Sequence, residues 1–266
     1  MTADEDTRRP DAGGPAESTT APAAPVVLFD LDDTLMAHRE AVATAIVLHM
    51  RERAYIGDDD AAQRLWHELE EQHYHEYLAG RATYEGQRRA RARDFALAHD
   101  DELDDLAASA WFARYFERYR EWWSLHDDAL PALAAVETAL PGVRLGVITN
   151  GELELQTTKL ERLGLLERFE LVIASGDVGV AKPDPAIFEL ALGRFAEAAP
   201  VGRAAYVGDR LVTDAIGAAR AGLLGVWLNR AGGRPLPDDA EAAEAAEVTE
   251  IASLDELAPL LADRLR

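Results

Sequence analysis

A short apolar segment, residues 26–29 (VVLF), limits the possible folds of this chain more than any other, and it is followed directly by Asp30 and, two residues later, by Asp32. Four apolar residues in a row, bounded by polar ones, are typical of a strand that is buried on both faces. Comparable apolar runs follow at 143–148, 171–174, 204–207 and 224–228. The chain therefore supplies several short strands, most of them bounded by polar or turn-forming residues.

Helical segments separate these runs. We expect one helix over residues 183–195, with proline in its first turn, and another over 212–221 that stops at Gly222. A last helix should begin near Ser253, where Ser253 and Glu256 form a capping box. Strands that alternate with helices predict an α/β fold with a doubly wound parallel sheet.

Residues 36–125 interrupt this alternation, because they contain no convincing strand. Apolar residues at spacings of three and four predict helices over 38–50, 61–78, 85–98 and 102–123. The same segment holds four of the five tryptophans and six of the seven tyrosines. We therefore expect an all-helical unit, residues 37–125, inserted into an α/β core of residues 25–36 and 126–266.

The first 24 residues are rich in Pro, Gly, Ala, Thr and Asp and offer little to bury, so we expect a disordered tail. They carry acid where a signal peptide carries base, and they lack an apolar stretch. No apolar run approaches the roughly 20 residues that span a bilayer. We expect a cytoplasmic protein that does not bind membranes.

The charge of the chain excludes one class of partner. It has 27 basic and 49 acidic residues and a formal net charge of −22, which opposes binding to nucleic acid. A small anionic ligand would need local positive charge or a metal ion. The chain has no cysteine, which excludes disulfides, thiolate metal sites and a cysteine nucleophile. The sequence leaves a monomer and a homodimer equally open.

Polar residues collect where the predicted strands end, which is where ligands bind in open parallel sheets. The residues placed along this edge are Asp30, Asp32, Thr149, Asn150, Lys182, Asp209 and Asp214. Asp30 and Asp32 are two residues apart, so their side chains project to the same side while the chain stays extended. Crowded carboxylates repel one another unless a cation lies among them, and oxygen ligands of this kind suit Mg²⁺.

These parts fit phosphoryl transfer. One carboxylate attacks phosphorus, a metal ion and Lys182 neutralise the phosphate oxygens, and a second carboxylate handles the leaving-group proton. The hydroxyl of Thr149, and backbone N–H groups of Asn150 and Gly151 at the start of a helix, suit a phosphate. Each feature alone is common in turns and helix caps, but their combination and order indicate a catalytic site.

The sequence resembles the haloacid dehalogenase superfamily of hydrolases. The four motifs that carry the resemblance are VVLFDLDDTL (26–35), VITNG (147–151), AKPDP (181–185) and VGDRLVTD (207–214). The helical unit after the first motif resembles the α-helical cap that this superfamily inserts at that point. The best match is its phosphatase branch.

The resemblance implies a role for each residue. Asp30 is the implied nucleophile, forming an aspartyl-phosphate, and Asp32 is the implied general acid and then general base. The residues implied to bind phosphate are Thr149, Asn150 and Lys182. The implied ligands of Mg²⁺ are the side chain of Asp30, the backbone carbonyl of Asp32, and Asp209, with Asp214 assisting.

Asp32 separates the branches of the superfamily. Its dehalogenases lack this second carboxylate, because a halide leaves without a proton, so Asp32 favours a small phosphomonoester over a 2-haloacid. A phosphomutase or phosphotransferase shares all four motifs and stays open, although no cap residue, His38 included, matches the groups that turn a sugar phosphate. A receiver-like signalling module is disfavoured by chain order and length.

The helical cap should select the substrate. Its rings, including His73, Tyr74, His75 and Tyr77, either line a pocket or pack between helices, and we expect packing for most of them. Nucleotides, sugar phosphates and phosphoglycolate all stay open as substrates.

Overall fold

The computed structural model describes residues 23–265, so the predicted disordered tail lies outside the described residues except for Ala23 and Ala24. Six parallel strands form one sheet in the order β3-β2-β1-β4-β5-β6. Their bounds are β1 Ala24–Phe29, β2 Arg144–Thr149, β3 Leu171–Ala174, β4 Val201–Gly208, β5 Leu224–Leu228 and β6 Thr249–Ile251. The predicted α/β class with a parallel sheet is confirmed.

Strand β1 lies at the centre of the sheet because its side chains are apolar on both faces. Val27 and Phe29 pack into one core cluster, whereas Val26 and Leu28 pack into the other, and all four are almost completely buried. The chain runs from β1 outward through β2 and β3, then returns to the other side of β1 as β4. This reversal opens a crevice at the carboxyl ends of β1 and β4.

Four helices follow β1 without an intervening strand, as predicted. They are α1 His38–Arg53, α2 Asp59–Leu78, α3 Tyr84–Leu97 and α4 Asp105–Glu121. The side chains of Asp58, Thr83 and Asp104 cap the last three helices, each by accepting the backbone N–H of the third residue of its helix. Aromatic rings fill the centre, with Trp66 in edge contact with Tyr115 at 4.5 Å. The helical insert is therefore held by its own aromatic core.

The remaining helices are α5 Ala129–Ala139, α6 Leu153–Arg162, α7 Ser175–Val178, α8 Pro185–Ala198, α9 Gly217–Arg220, α10 Pro237–Ala245 and α11 Leu257–Arg264. The capping box of Ser253 and Glu256 is present and caps a 3₁₀ turn that leads into α11. The predicted helix over 212–221 differs, because Leu211–Ile216 forms a π-helical turn before α9. Among residues 23–265, no helix is both long enough and apolar enough to cross a bilayer.

Candidate active site

Asp30 and Asp32 lie in a tight loop at the carboxyl end of β1. The backbone N–H of Asp30 donates to the carbonyl of Val207 at 2.9 Å, which continues the pairing of β1 with β4 beyond the last strand residue. The loop closes on itself, since the N–H groups of Leu35 and Met36 both donate to the carbonyl of Leu31. Asp30 is 7% exposed, so its carboxylate sits at the floor of the crevice.

Asp209 and Asp214 reach the same point from the end of β4. One carboxylate oxygen from each of Asp30, Asp209 and Asp214 lies within 4.8 Å of the other two. Gly208 permits this approach, because a Cβ on it would lie 2.4 Å from the carboxyl carbon of Asp214. The π-helical turn Leu211–Ile216 carries Asp214 back toward the sheet, and such turns are frequent at functional sites.

Lys182 is buried among these carboxylates. Its Nζ donates to Oδ1 of Asp30 at 2.6 Å, to Oδ1 of Asp214 at 2.7 Å and to the hydroxyl of Tyr206 at 2.7 Å. The Tyr206 hydroxyl in turn donates to the carbonyl of Ile148 at 2.8 Å. All three ammonium hydrogens therefore have partners, which fixes the lysine in one place.

The charges of this group do not balance. Burial raises the pKa of Asp30 to about 7, with Lys182 acting against the rise and Asp214 adding to it. Burial, and then the Asp214 carboxylate, raise the pKa of Asp209 to about 8. Burial lowers the pKa of Lys182, but Asp214 and Asp30 more than offset it, so this pKa is raised. When all three carboxylates are ionised, the one ammonium leaves an excess of two negative charges, which a divalent cation with oxygen ligands fits.

The predicted phosphate-binding residues lie beside these carboxylates, but one predicted backbone donor differs. Thr149 ends β2 and is buried. Asn150 exchanges two hydrogen bonds with the backbone of Lys182, from Nδ2 to the carbonyl at 2.9 Å and from the Lys182 N–H to Oδ1 at 2.8 Å. The prediction of a free N–H at Gly151 is wrong, because this group donates to Oγ of Ser175 at 3.0 Å. Helix α6 begins only at Leu153.

Asp32 has a separate set of partners. The Nζ of Lys159 in α6 donates to both of its carboxylate oxygens, each at 2.7 Å, and Nε2 of Gln156 donates to Oδ2 at 3.4 Å. His38 Nδ1 is 3.8 Å from Oδ1. Burial by itself raises the pKa of Asp32, but Lys159 and His38 outweigh it and the pKa is lowered. Its carboxylate is not among the three that lie within 4.8 Å of one another.

A cavity of about 320 Å³ opens over these residues and is lined by all seven of the predicted site residues. The helical insert supplies the opposite wall, which includes His38, Glu70, Tyr74, His75, Tyr84, Arg88, Arg91, Phe116 and Tyr119. We expected most rings of the insert to pack between helices; of the four rings named as examples, Tyr74 and His75 line the cavity. His73 instead binds Asp94 at 2.7 Å, and Tyr77 donates to Glu152 at 2.5 Å.

Sequence reasoning missed two residues of the site, Lys159 and Tyr206. Lys159 lies in the second turn of α6, the helix that follows the second strand-end motif, so the strand-end rule points to its helix but not to its position. Tyr206 is the one polar side chain within the apolar run 204–207, and a hydroxyl in a central buried strand needs a partner. Both signals are visible in the sequence.

The fold and this geometry define a class of enzyme. An aspartate and lysine centre lies at the carboxyl edge of a parallel sheet, at the switch point of the chain, beneath a helical insert that follows the first strand. The sequence profile of haloacid dehalogenase-like hydrolases matches residues 24–222. The chain belongs to the haloacid dehalogenase-like hydrolase family.

Individual relatives agree with this assignment. Phosphoserine phosphatase of Thermus thermophilus is 32% identical over 239 residues, which cover 82% of this chain and 92% of that protein. Glyceraldehyde 3-phosphate phosphatase of Methanopyrus kandleri is 33% identical over 214 residues, covering 77% and 83%. The crystal structure of the HAD-hydrolase YfnB from Bacillus subtilis bound to magnesium shares the fold, with a TM-score of 0.72 at 22% identity over 90% of this chain and 99% of that one.

Proposed function

We propose that this protein is a Mg²⁺-dependent phosphatase that hydrolyses a small phosphorylated metabolite through an aspartyl-phosphate on Asp30. Its class follows from its family, since the two full-length relatives described above are named phosphatases, and it is a phosphoric monoester hydrolase. The nucleophile, the metal ion and the proton donor are assigned from the geometry of the site.

In the first step, an oxygen of Asp30 attacks phosphorus and the bond from phosphorus to the leaving oxygen breaks. Lys182 holds Oδ1 of Asp30 at 2.6 Å, and Oδ2 accepts no hydrogen bond from the described residues, so we assign the attack to Oδ2. Asp32 gives its proton to the departing oxygen. The arriving phosphate adds negative charge beside Asp32, which favours the protonated form that this step requires.

In the second step, a water molecule attacks the phosphorus of the aspartyl-phosphate. Asp32, now ionised, accepts a proton from the water, and the bond between phosphorus and Asp30 breaks. Inorganic phosphate leaves and both carboxylates return to their starting states. Thr149 and Lys182 bind the phosphate oxygens, for which Lys182 redirects one of the three ammonium hydrogens that it gives to Asp30, Asp214 and Tyr206. The Asn150 side chain holds the backbone of Lys182 in place for this task.

The residues that would hold Mg²⁺ are Asp30, Asp209 and Asp214, together with the backbone carbonyl of Asp32. When bound, the ion would neutralise charge on the phosphate oxygens and keep the buried carboxylates ionised. The excess of two negative charges in the three-carboxylate group supports this assignment.

One observation favours phosphate esters over 2-haloacids, and it is the position of Asp32. Its carboxylate lies in the same cavity as Asp30 but has its own partners, Lys159 and Gln156, outside the three-carboxylate group. A second carboxylate that is not needed for the metal ion is available for proton transfer. An alkoxide leaving group needs that proton, whereas a halide does not.

The test is to trap the intermediate. The protein should release inorganic phosphate from p-nitrophenyl phosphate in the presence of Mg²⁺, and rapid acid quench should leave phosphate on the peptide that spans residues 26–35. Asp30→Asn should form no phosphopeptide. Phosphate release without a phosphopeptide would indicate direct attack by water, and recovery of an isomer in place of inorganic phosphate would indicate a mutase.

A further inference from the structure

The small number of lysines in the chain, and their positions, point to one further residue of the site. Of its 27 basic residues, 25 are arginines and only two, Lys159 and Lys182, are lysines. Both lysines are buried, both line the catalytic cavity, and each binds one aspartate of the loop after β1. Every other basic residue of the chain is an arginine. We therefore infer that these two positions need a property of lysine that arginine lacks.

A compact ammonium group meets that requirement. Lysine concentrates its charge on one nitrogen with three rotatable donors, whereas the arginine guanidinium is a broad, planar fork. The side chain of Lys159 is 3% exposed, and its Nζ lies 2.7 Å from both Oδ1 and Oδ2 of Asp32. One nitrogen placed between two carboxylate oxygens fixes the position of the carboxylate, and a second donor to one of the oxygens is needed to fix its plane.

Helix α6 supplies this contact from a rigid support. Gln156 lies one turn before Lys159 on the same face, and its Nε2 donates to Oδ2 of Asp32 at 3.4 Å. The helical insert closes the other side, where His38 Nδ1 lies 3.8 Å from Oδ1 of Asp32 and 2.7 Å from the hydroxyl of Tyr119. The carboxylate of Asp32 is therefore held between the core and the insert.

We propose that Lys159 is a positioning residue that aims the carboxylate of Asp32 at the leaving oxygen. Proton transfer needs heavy atoms about 2.6 to 3.2 Å apart, so a carboxylate free to turn would meet that distance less often. This proposal rests on the proposed function of Asp32. It assigns Lys159 a task distinct from that of Lys182, because among the described residues Lys159 forms its ion pair with Asp32 alone.

Two phosphate esters of similar size can show whether Lys159 positions Asp32 or binds the phosphate. Phenyl phosphate releases phenol, whose pKa is near the value of about 10 of a tyrosine side chain, and therefore needs the proton. p-Nitrophenyl phosphate releases a better leaving group that departs without it. Because kcat/KM reports the first step alone, Lys159→Met should lower kcat/KM for phenyl phosphate by about 10²-fold, within the range of general acid catalysis, and kcat/KM for p-nitrophenyl phosphate by much less.

A double-mutant cycle then asks whether Lys159 acts through Asp32. In an Asp32→Asn background, Lys159→Met should cause little further loss with phenyl phosphate, because the group that it positions is already gone. The inhibition constant of inorganic phosphate should stay near the wild-type value. Lys159→Arg, which keeps the charge but not the shape, should fall between the wild type and Lys159→Met.

Three outcomes would overturn the proposal. Equal losses with both esters and weaker inhibition by inorganic phosphate would make Lys159 a phosphate-binding residue. Losses that multiply in the double variant would show that it acts without Asp32. A fully active Lys159→Met would show that the contact has no catalytic consequence. A wild-type protein that hydrolyses neither ester would instead refute the proposed function.

A second measurement does not depend on activity. With lysine labelled at Cε and Nζ, the 266-residue chain gives two side-chain NMR signals, and the spectrum of Lys159→Met assigns them by the loss of one. Asp32→Asn should shift the Lys159 signal and leave that of Lys182 nearly unchanged. A shift of the Lys182 signal alone would contradict the contact on which the proposal depends.

Discussion

The Nζ of Lys182 lies 2.6 Å from Oδ1 of Asp30, and the side chains of both residues are buried. The same nitrogen reaches Asp214, so one ammonium group joins the loop after β1 to the π-helical turn after β4. These two segments are far apart in the sequence and adjacent only because β1 pairs with β4. The lysine therefore fixes the placement of the Asp30 carboxylate as well as adding positive charge beside it.

Removal of this ammonium should abolish most of the activity. Lys182→Met should lower kcat/KM for p-nitrophenyl phosphate by at least about 10²-fold, the usual loss for a preorganised electrostatic group. Its melting temperature should also fall, because two buried carboxylates lose their partner. Arg194→Met, which removes an exposed cation from α8, is the control and should change neither quantity. Retention of most of the activity in Lys182→Met would contradict this role.

Metal binding should be visible as stability. A ligand that binds only the folded protein raises its melting temperature, and here Mg²⁺ would also relieve repulsion among Asp30, Asp209 and Asp214. We expect millimolar Mg²⁺ to raise the melting temperature, EDTA to reverse this, and Asp209→Asn to abolish the rise. Activity should stop in excess EDTA. An unchanged melting temperature with undiminished turnover in chelator would remove the metal assignment.

Much of the fold could be read from the sequence because burial on both faces leaves a clear pattern. Strand β1 is apolar without interruption, and the four insert helices show regular apolar spacing with capping residues before three of them. Strand β6, with three residues, and helix α5, which is alanine-rich and contains Pro131, carry no such pattern. Strand β6 is placed by its pairing with β5, and α5 by its packing against α11.

The site residues that could be predicted from the sequence are mainly those at or just after the ends of strands. Asp30, Thr149 and Asp209 directly end strands or follow them, so parallel pairing brings them together. Lys159 and Tyr206 reach the site from the inside of a helix and of a strand, where side-chain direction depends on register. The cavity wall that the helical insert supplies was the part of the site least predictable from the sequence. An aromatic ring that packs in a core and one that lines a pocket give the same sequence pattern.

Replacement of Asp30 and replacement of Asp32 should cause different kinetic defects. Asp30→Asn should lose turnover and the phosphopeptide together, because the nucleophile forms the covalent bond. Asp32→Asn should slow both steps by roughly 10² to 10⁴-fold, with a smaller first-step defect for p-nitrophenyl phosphate, so that aspartyl-phosphate accumulates. Acid quench and mass spectrometry measure both. Turnover by Asp30→Asn, with Asp32→Asn inactive toward every ester, would reverse the roles.

His49 should make stability depend on pH. It is fully buried in α1, and neither ring nitrogen has a hydrogen-bond partner among the described residues. Burial lowers its pKa to about 4 from 6.5. The groups facing it are Glu52, Arg53, Trp111, Arg114, Tyr115 and Arg118.

Because the folded pKa is depressed, the unfolded chain binds more protons between pH 4 and 6.5. The contribution of His49 to stability is therefore complete above pH 6.5 and is lost as the pH falls toward 4, by on the order of 3 kcal/mol. Urea unfolding of His49→Phe at several pH values should show a shallower loss than the wild type over this range. Parallel curves for the two proteins would show that His49 does not titrate on unfolding.

Gly208 should tolerate no side chain, although it lies in a strand where alanine is usually acceptable. A Cβ there would sit 2.4 Å from the carboxyl carbon of Asp214, so Gly208→Ala must displace that carboxylate from Lys182. We expect a destabilisation of about 1 to 3 kcal/mol, typical of overpacking, together with a large loss of kcat and of stabilisation by Mg²⁺.

The matched control is Gly193→Ala, in the exposed part of α8, where nothing lies within 4 Å of the added Cβ. This change should stabilise the protein by up to about 1 kcal/mol, because alanine favours a helix more than glycine does. Chemical denaturation and phosphate release measured on both variants separate crowding at Asp214 from a general effect of glycine replacement. If Gly208→Ala kept full activity and stability, Asp214 could not occupy the position that links it to Lys182.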